Sequence, residues 1–228
     1  MDKDTIHNKE NAIRPEVASR PLLKDQAYEE LKELILSGVY SPGTFLSERQ
    51  LTARFGMSKT PVRSAIERLE MEGFLIVSPQ QGVVVAELSL DEIVDHFEIR
   101  LALETFVARR LAGKLDAHQI KTLKRNLEAQ VRAAEQGDVV GYRKLDTEFH
   151  LILCESLGNK EILQVMRRLA DKLSRVIFRI ISQHPARMSS SSEEHRDIFE
   201  AIIEGDGATT AKRMERHLEW GRKFLASR

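Results

Sequence analysis

The sequence predicts a mainly α protein in two parts: a small helical unit carrying a β-hairpin, then an all-α six-helix antiparallel bundle. Three observations carry this reading. Between Ser47 and Gly73 two short amphipathic segments meet at a glycine turn. Two β-prone runs follow at once, Phe74 to Val77 and Val83 to Glu87, around Pro79, Gln80, Gln81 and Gly82, a tip with turn chemistry. From Leu90 onward the chain reads as helix broken by short turns, with no strand signal and no Rossmann or P-loop glycine motif.

The opening residues 1–21 are polar and mixed in charge, unlike a signal peptide, and are expected to form a mobile tail in which His7 has no role. A first helix is expected from about Leu23 to Ser37, with Ala27, Tyr28, Leu31, Leu34 and Ile35 on one stripe and Gly38 at its end. The loop from Tyr40 to Phe45, with Pro42 and Gly43, leads to Ser47. Ser47 and Gln50 form a capping box, and Gly56 supplies the left-handed residue that ends the helix after about two turns. Ser58 caps the next helix, where Pro61 is tolerated because a first-turn amide has no helical partner. In that helix Val62, Ala65, Ile66 and Leu69 follow the 3.6-residue period and face a core, leaving Lys59, Thr60, Arg63 and Ser64 exposed. A hairpin directly after two such helices is a wing. The layout is a winged helix-turn-helix, whose second helix enters the DNA major groove while its edges hold phosphates.

Composition is compatible with that role. The chain has 228 residues and a mass of 26.0 kDa, room for two domains of about 75 and 140 residues. Its 35 basic and 35 acidic residues cancel, so a DNA reader must concentrate positive charge locally. Between Ser47 and Arg68 the residues Arg49, Arg54, Lys59, Arg63 and Arg68 oppose only Glu48 and Glu67, an excess of three. The single cysteine, Cys154, excludes an intrachain disulfide framework and, with no apolar run long enough to span a bilayer, points to the cytoplasm and away from membranes.

The run LSERQLTARFGMSKTPVRSAIERLEMEGFL, with its Gly-tipped wing, closely resembles the DNA-binding domain of the GntR family of bacterial transcription regulators. The resemblance spans roughly residues 22 to 87 of a DNA-binding domain placed at 22–88. It implies a DNA-binding set of Ser47, Arg49, Lys59, Thr60, Arg63 and Gly82: arginine and lysine contacts to DNA, Thr60 supporting phosphate binding, and Gly82 letting the wing tip approach the minor groove. Lys59 departs from the arginine common at its position. Lacking the bidentate fork, it suits a phosphate better than a guanine.

Caps and breakers divide the bundle at 90–113, 117–136, 139–157, 160–184, 193–204 and 207–226. Ser89 and Glu92 form the capping box of the first helix. The stretch PARMSSSS, residues 185–192, is expected to be a mobile loop or lid. Bundles place ligand and metal sites between inward side chains, so polar residues on apolar faces stand out. Asp146 and His150, four apart on one helix, flank the stripe Leu145, Phe149, Ile152 and Leu153. His195 shares a face with Ile198, Phe199 and Ile202, and His217 with Met214, Leu218 and Phe224. A lone inward histidine is more often a hydrogen-bonded core residue than a ligand. Three imidazoles and one carboxylate together suit a borderline divalent metal. His96, His118 and His184 lack such companions and are expected to be incidental.

The motifs Asp-Thr-Glu-Phe-His, the Gly158-Asn159 turn, Glu194-His195 and a final-helix His217 resemble the FCD effector domain of the FadR subfamily of GntR regulators, over residues 90–226 of a domain placed at 89–228. That resemblance implies an effector-binding and dimerisation domain, with metal held by Asp146, His150, His195 and His217. Zinc comes first as the ion, with nickel and manganese as alternatives. Arg100 is an inward charge on the stripe Ile93, Phe97, Arg100, Glu104, Val107 and Leu111, and it needs a partner. An intrahelical pair with Glu104 satisfies it. The resemblance implies that it holds an effector carboxylate, and the two roles are compatible.

The expected function is therefore a sequence-specific transcription regulator, a repressor, binding an inverted-repeat operator in double-stranded DNA as a homodimer under control of a small carboxylate effector. Two readings stand against it. One is a metal-responsive repressor in which the ion is the signal. The other is a metal-dependent hydrolase, for which Glu104 is the only inward general-base candidate and the DNA-reading unit has no use.

Overall fold

The computed structural model describes residues 22–78 and 82–226. The tail expected over residues 1–21 and the wing-tip residues 79–81 lie outside the described residues.

The reader unit is built on α1 (Leu23–Leu36), α2 (Glu48–Phe55) and α3 (Lys59–Met71). Local chemistry sets their ends. The Ser47 hydroxyl accepts the Gln50 amide while the Gln50 side chain accepts the Ser47 amide, and Gly56, with φ of 62°, closes α2 in the left-handed region. Ser58 stands at the start of α3 but makes no side-chain capping bond, contrary to expectation. Pro61, the third residue of the helix, is buried. Strands β1 (Phe45–Leu46), β2 (Leu75–Ser78) and β3 (Gly82–Val85) form an antiparallel sheet in the order β1-β3-β2, with Ile76 opposite Val84 and Leu46 opposite Val83. The loop expected over residues 40–45 ends in the two-residue β1, which was not expected. Its pairing depends on a strand nearly forty residues away, which local pattern does not show. Leu31, Leu51, Val62, Leu69, Phe74 and Val85 close one core beneath these elements.

Among the described residues the second part contains six helices: α4 (Leu90–Leu111), α5 (Ala117–Gln136), α6 (Val139–Leu157), α7 (Lys160–Gln183), α8 (Ala186–Glu204) and α9 (Gly207–Ala226). Ser89 and Glu92 form the reciprocal capping box of α4, and Asp116 and Gln119 form another on α5. Phe97, Phe149, Leu153, Leu173, Ile198 and Met214 belong to the core they share. Gly221 on α9 lets the Phe97 ring of α4 approach closely, since a Cβ there would stand 2.9 Å from Phe97 Cε1.

One expectation is corrected: residues 186–192 are helical, not a loop, and α8 starts seven residues before the expected position 193. Serine runs carry low intrinsic helix propensity, but tertiary burial overrides it here. Met188, Ser191 and Ser192 are buried, Ser192 Oγ donates to Met188 O at 2.9 Å, and Arg187 reaches along the same face to Glu194.

The two parts touch directly. Lys32 Nζ on α1 donates to Asp171 Oδ2 on α7 at 2.6 Å and to the Tyr28 hydroxyl at 2.6 Å. Arg143 on α6 donates through Nη2 to Glu33 Oε1 at 2.9 Å and through Nη1 to Ser174 Oγ at 2.6 Å. Arg175 Nη2 donates to Ala86 O beyond the wing, also at 2.6 Å.

Candidate functional site

Helix α6 carries Asp146 and His150 one turn apart, both buried against the bundle interior. Helices α8 and α9 bring His195 and His217 to the same place. The three imidazoles each turn Nε2 toward a common point: His195 Nε2 is 3.2 Å from His217 Nε2, His217 Nε2 is 3.3 Å from His150 Nε2, and candidate donor atoms of all three lie within 4.8 Å of one another. Asp146 stands to one side, with Oδ1 3.8 Å from His195 Nε2. Of the four expected ligands, the structure thus gathers three tightly and places the fourth at the edge.

The Nδ1 atoms decide what those convergent nitrogens are. Backbone oxygen of Leu145 only accepts, so the Asn126 amide nitrogen, 3.1 Å away, must donate to it and to Glu148. Asn126 Oδ1 then accepts from Gln130 Nε2 at 2.7 Å, and Gln130 Oε1 is left to accept from His195 Nδ1 at 2.8 Å. His217 Nδ1 meets the Glu194 carboxylate at 2.6 Å, and His150 Nδ1 lies 2.5 Å from Glu104 Oε2. With Nδ1 of His195 and His217 hydrogen-bonded to oxygens and Nδ1 of His150 lying against the Glu104 carboxylate, the surroundings favour the tautomer with its proton on Nδ1. In that tautomer each Nε2 presents a lone pair, and three lone pairs pointing at one another repel unless a cation lies between them. Nitrogen ligands about 2.1 Å from one ion are separated by roughly 3.0 to 3.4 Å, which the two measured separations match. The residues fit a divalent metal.

Burial and charge agree. Desolvation drives the pKa of His195 well below the ordinary histidine value, with His217 and His150 adding to the shift, and desolvation also lowers that of His217 against the pull of Glu194. Burial pushes Glu104 up, but Arg100 and His150 outweigh it and hold its pKa at about 2. For Glu194 burial is likewise overcome, by His217 and Arg187, to about 2. Both carboxylates remain ionised to orient their histidines.

Beside this cluster lies a cavity of about 50 Å³, enough for a few water molecules, lined by Arg100, Asp146, Arg187 and His217 with Tyr142 and Ser191. Arg100 forms the expected pair with Glu104, Nε to Oε1 at 2.5 Å, and also lines this cavity. Arg187 grips both oxygens of Glu194, at 2.7 and 2.5 Å, and stacks its guanidinium 4.0 Å from the centre of the Trp220 ring. Sequence reasoning assigned no role to Gln130, Asn126, Glu194 or Arg187. A signal existed for the first two, polar residues four apart on the apolar face of Leu123 and Leu127. Arg187 was hidden in the segment read as loop. His96, His118 and His184 stand outside the cluster.

At the other end of the molecule Ser47, Arg49, Lys59, Thr60, Arg63 and Gly82 are all exposed, as a DNA-facing set must be. Arg63 Nε pairs with Glu48 Oε1 at 2.8 Å across the turn between α2 and α3.

A winged helix-turn-helix joined to a helical bundle with an internal polar cluster defines a DNA-binding transcription regulator, not an enzyme. The chain belongs to the GntR family: the family described as bacterial regulatory proteins, gntR family, matches residues 23–85, and the FCD domain matches residues 95–219. It is 29% identical over 207 residues to the uncharacterised HTH-type transcriptional regulator YdfH of Escherichia coli O6:H1, covering 91% of this chain and 90% of that one. It is 30% identical over 197 residues to the HTH-type transcriptional repressor RspR of Escherichia coli (strain K12), covering 86% of each. The solved structure of E. coli McbR/YncC superposes with a TM-score of 0.79 at 22% identity, covering 91% of this chain and 99% of that one, a likeness of fold. Among the described residues no helix is long and apolar enough to cross a membrane.

Proposed function

We propose that this chain is a cytoplasmic repressor that binds an inverted-repeat operator as a homodimer, through a reader domain of residues 22–88, and that a small carboxylate bound in the domain of residues 89–228 controls that binding. A divalent ion, zinc before nickel or manganese, would be held by His150, His195 and His217 with Asp146 at its edge. When bound, it would supply a Lewis-acidic position for one ligand oxygen. The observation that carries the reading is the convergence of three imidazole Nε2 atoms beside a cavity lined by Arg100. Arg100, oriented by Glu104, would present its remaining guanidinium nitrogens to a carboxylate. That cavity also favours the carboxylate over the ion itself as the signal.

Operator contact is assigned to Arg49, Lys59, Thr60 and Arg63 with the Ser47 and Gly82 backbones. One reader helix covers too few bases for specificity, which supports a two-fold dimer on two-fold DNA. The short connection at Leu88 and Ser89, from the wing to α4, offers one route from the bundle to the reader. The pairs Arg143–Glu33 and Lys32–Asp171 support a second route, because Arg143 precedes Asp146 by one turn on α6 and Glu33 sits on α1, which packs on α3. A thermal-shift screen of small carboxylic acids on zinc-loaded and metal-stripped protein tests the proposal. At least one acid should raise the melting temperature of the loaded protein and lose that effect on stripping. No shift with any acid would contradict it.

A further inference from the structure

We infer that the cavity beside the histidine cluster selects a singly charged carboxylate with a short, largely apolar body, and discriminates against dicarboxylates. This rests on the proposed effector site and concerns what that site accepts.

Two buried guanidiniums, Arg100 and Arg187, line the cavity, and two cations facing one pocket ordinarily suggest a dicarboxylate. The partners of those arginines argue otherwise. Arg100 is paired through Nε with Glu104, and Arg187 is chelated by both oxygens of Glu194 while its face lies on Trp220. Each guanidinium is matched by its own carboxylate. Asp146 adds one further negative charge on the cavity wall. Histidines that ligate a metal do so as neutral imidazoles. The buried set therefore carries one net negative charge without the ion and one net positive charge with a divalent one. A monocarboxylate brings it to neutrality. A dicarboxylate leaves one negative charge unbalanced in a site whose walls include the apolar Phe97, Ile177, Ile180, Ile181 and Leu218. Such a charge is penalised by loss of hydration that no remaining cation repays. The same apolar wall fits the carbon body of the ligand, and Tyr142 and Ser191 also line the cavity.

The charge count makes a prediction that shape alone does not. Replacing Glu194 or Glu104 by Gln keeps an oxygen to accept from the histidine Nδ1 and raises the cavity charge by one, to two positive charges with the ion bound. Both variants should then favour a dianion.

The test is calorimetric titration of zinc-loaded full-length protein with propionate and lactate against malonate and succinate, alongside melting curves. In the wild type the monoacids should bind at least about tenfold more tightly than the diacids. In Glu194→Gln and Glu104→Gln the ratio should shift toward the diacids by about tenfold or more. Equal or tighter binding of a diacid by the wild type overturns the inference while leaving the effector site in place. A folded variant that keeps the wild-type ratio overturns it as well. If no acid of either class binds the loaded wild type, the effector reading itself falls and this inference with it. The wild-type comparison decides alone where a variant does not fold.

Discussion

Arg143 on α6 and Glu33 on α1 are joined at 2.9 Å, so the helix bearing His150 and Asp146 grips the helix on which the recognition helix rests. The Arg143 side chain is 2% exposed and Glu33 38%. Glu33→Ala should therefore strand a buried guanidinium that keeps only Ser174. We expect a loss of about 1 to 2 kcal/mol, discounted for the exposure of Glu33, in chemical denaturation. Faster amide exchange in α1 should accompany it. Unchanged stability and exchange would mean that the contact does not hold the reader in place.

On the DNA-facing surface, Arg63 and Lys59 should behave differently. Arg63→Ala is expected to weaken operator binding by about tenfold or more and to relax specificity at one base position. Lys59→Ala should weaken all sequences alike and reduce the salt slope by about one. Glu48→Gln, which frees Arg63 from its ion pair, should raise affinity for DNA of any sequence. Anisotropy titrations against operator and scrambled duplexes at several salt concentrations separate these outcomes, and wild-type binding by both alanine variants would remove α3 from the groove.

The amide relay from Asn126 through Gln130 to His195 predicts a specific loss. Gln130→Leu removes the acceptor that keeps the His195 proton on Nδ1, and zinc affinity should fall about 10- to 100-fold. Gln130→Glu keeps an acceptor and should recover most of it. Competition with a chromophoric chelator reads the affinity, and nitrogen-15 imidazole shifts read the tautomer. Equal affinities in Gln130→Leu and the wild type would show that the relay does not position the ring.

What was legible in the sequence was local. Ser47 with Gln50, Gly56, and Ser89 with Glu92 mark helix ends through bonds that span three or four residues, and the ends fall close to where those residues put them. The four-residue spacing of Asp146 and His150 put both on one buried face without knowledge of the rest of the fold. His195 and His217 stood out because each interrupts an apolar stripe. Three other features depend on tertiary contacts. The helix over residues 186–192 is stabilised by burial that outweighs the low propensity of its serines. Strand β1 exists through Val83 and Val84. The clasp of Lys32 with Asp171 joins residues 139 apart, and neither carries a local sign of the other.

Operator affinity with and without effector, in zinc-loaded wild type, Arg100→Ala and His195→Ala, tests the central claim most directly, with circular dichroism confirming that the bundle is folded. The account predicts a change of about 5- to 150-fold on adding the acid to the wild type. It predicts no change in either variant, while ligand-free operator binding stays near the wild-type value. An effector response of wild-type size in both folded variants would contradict it.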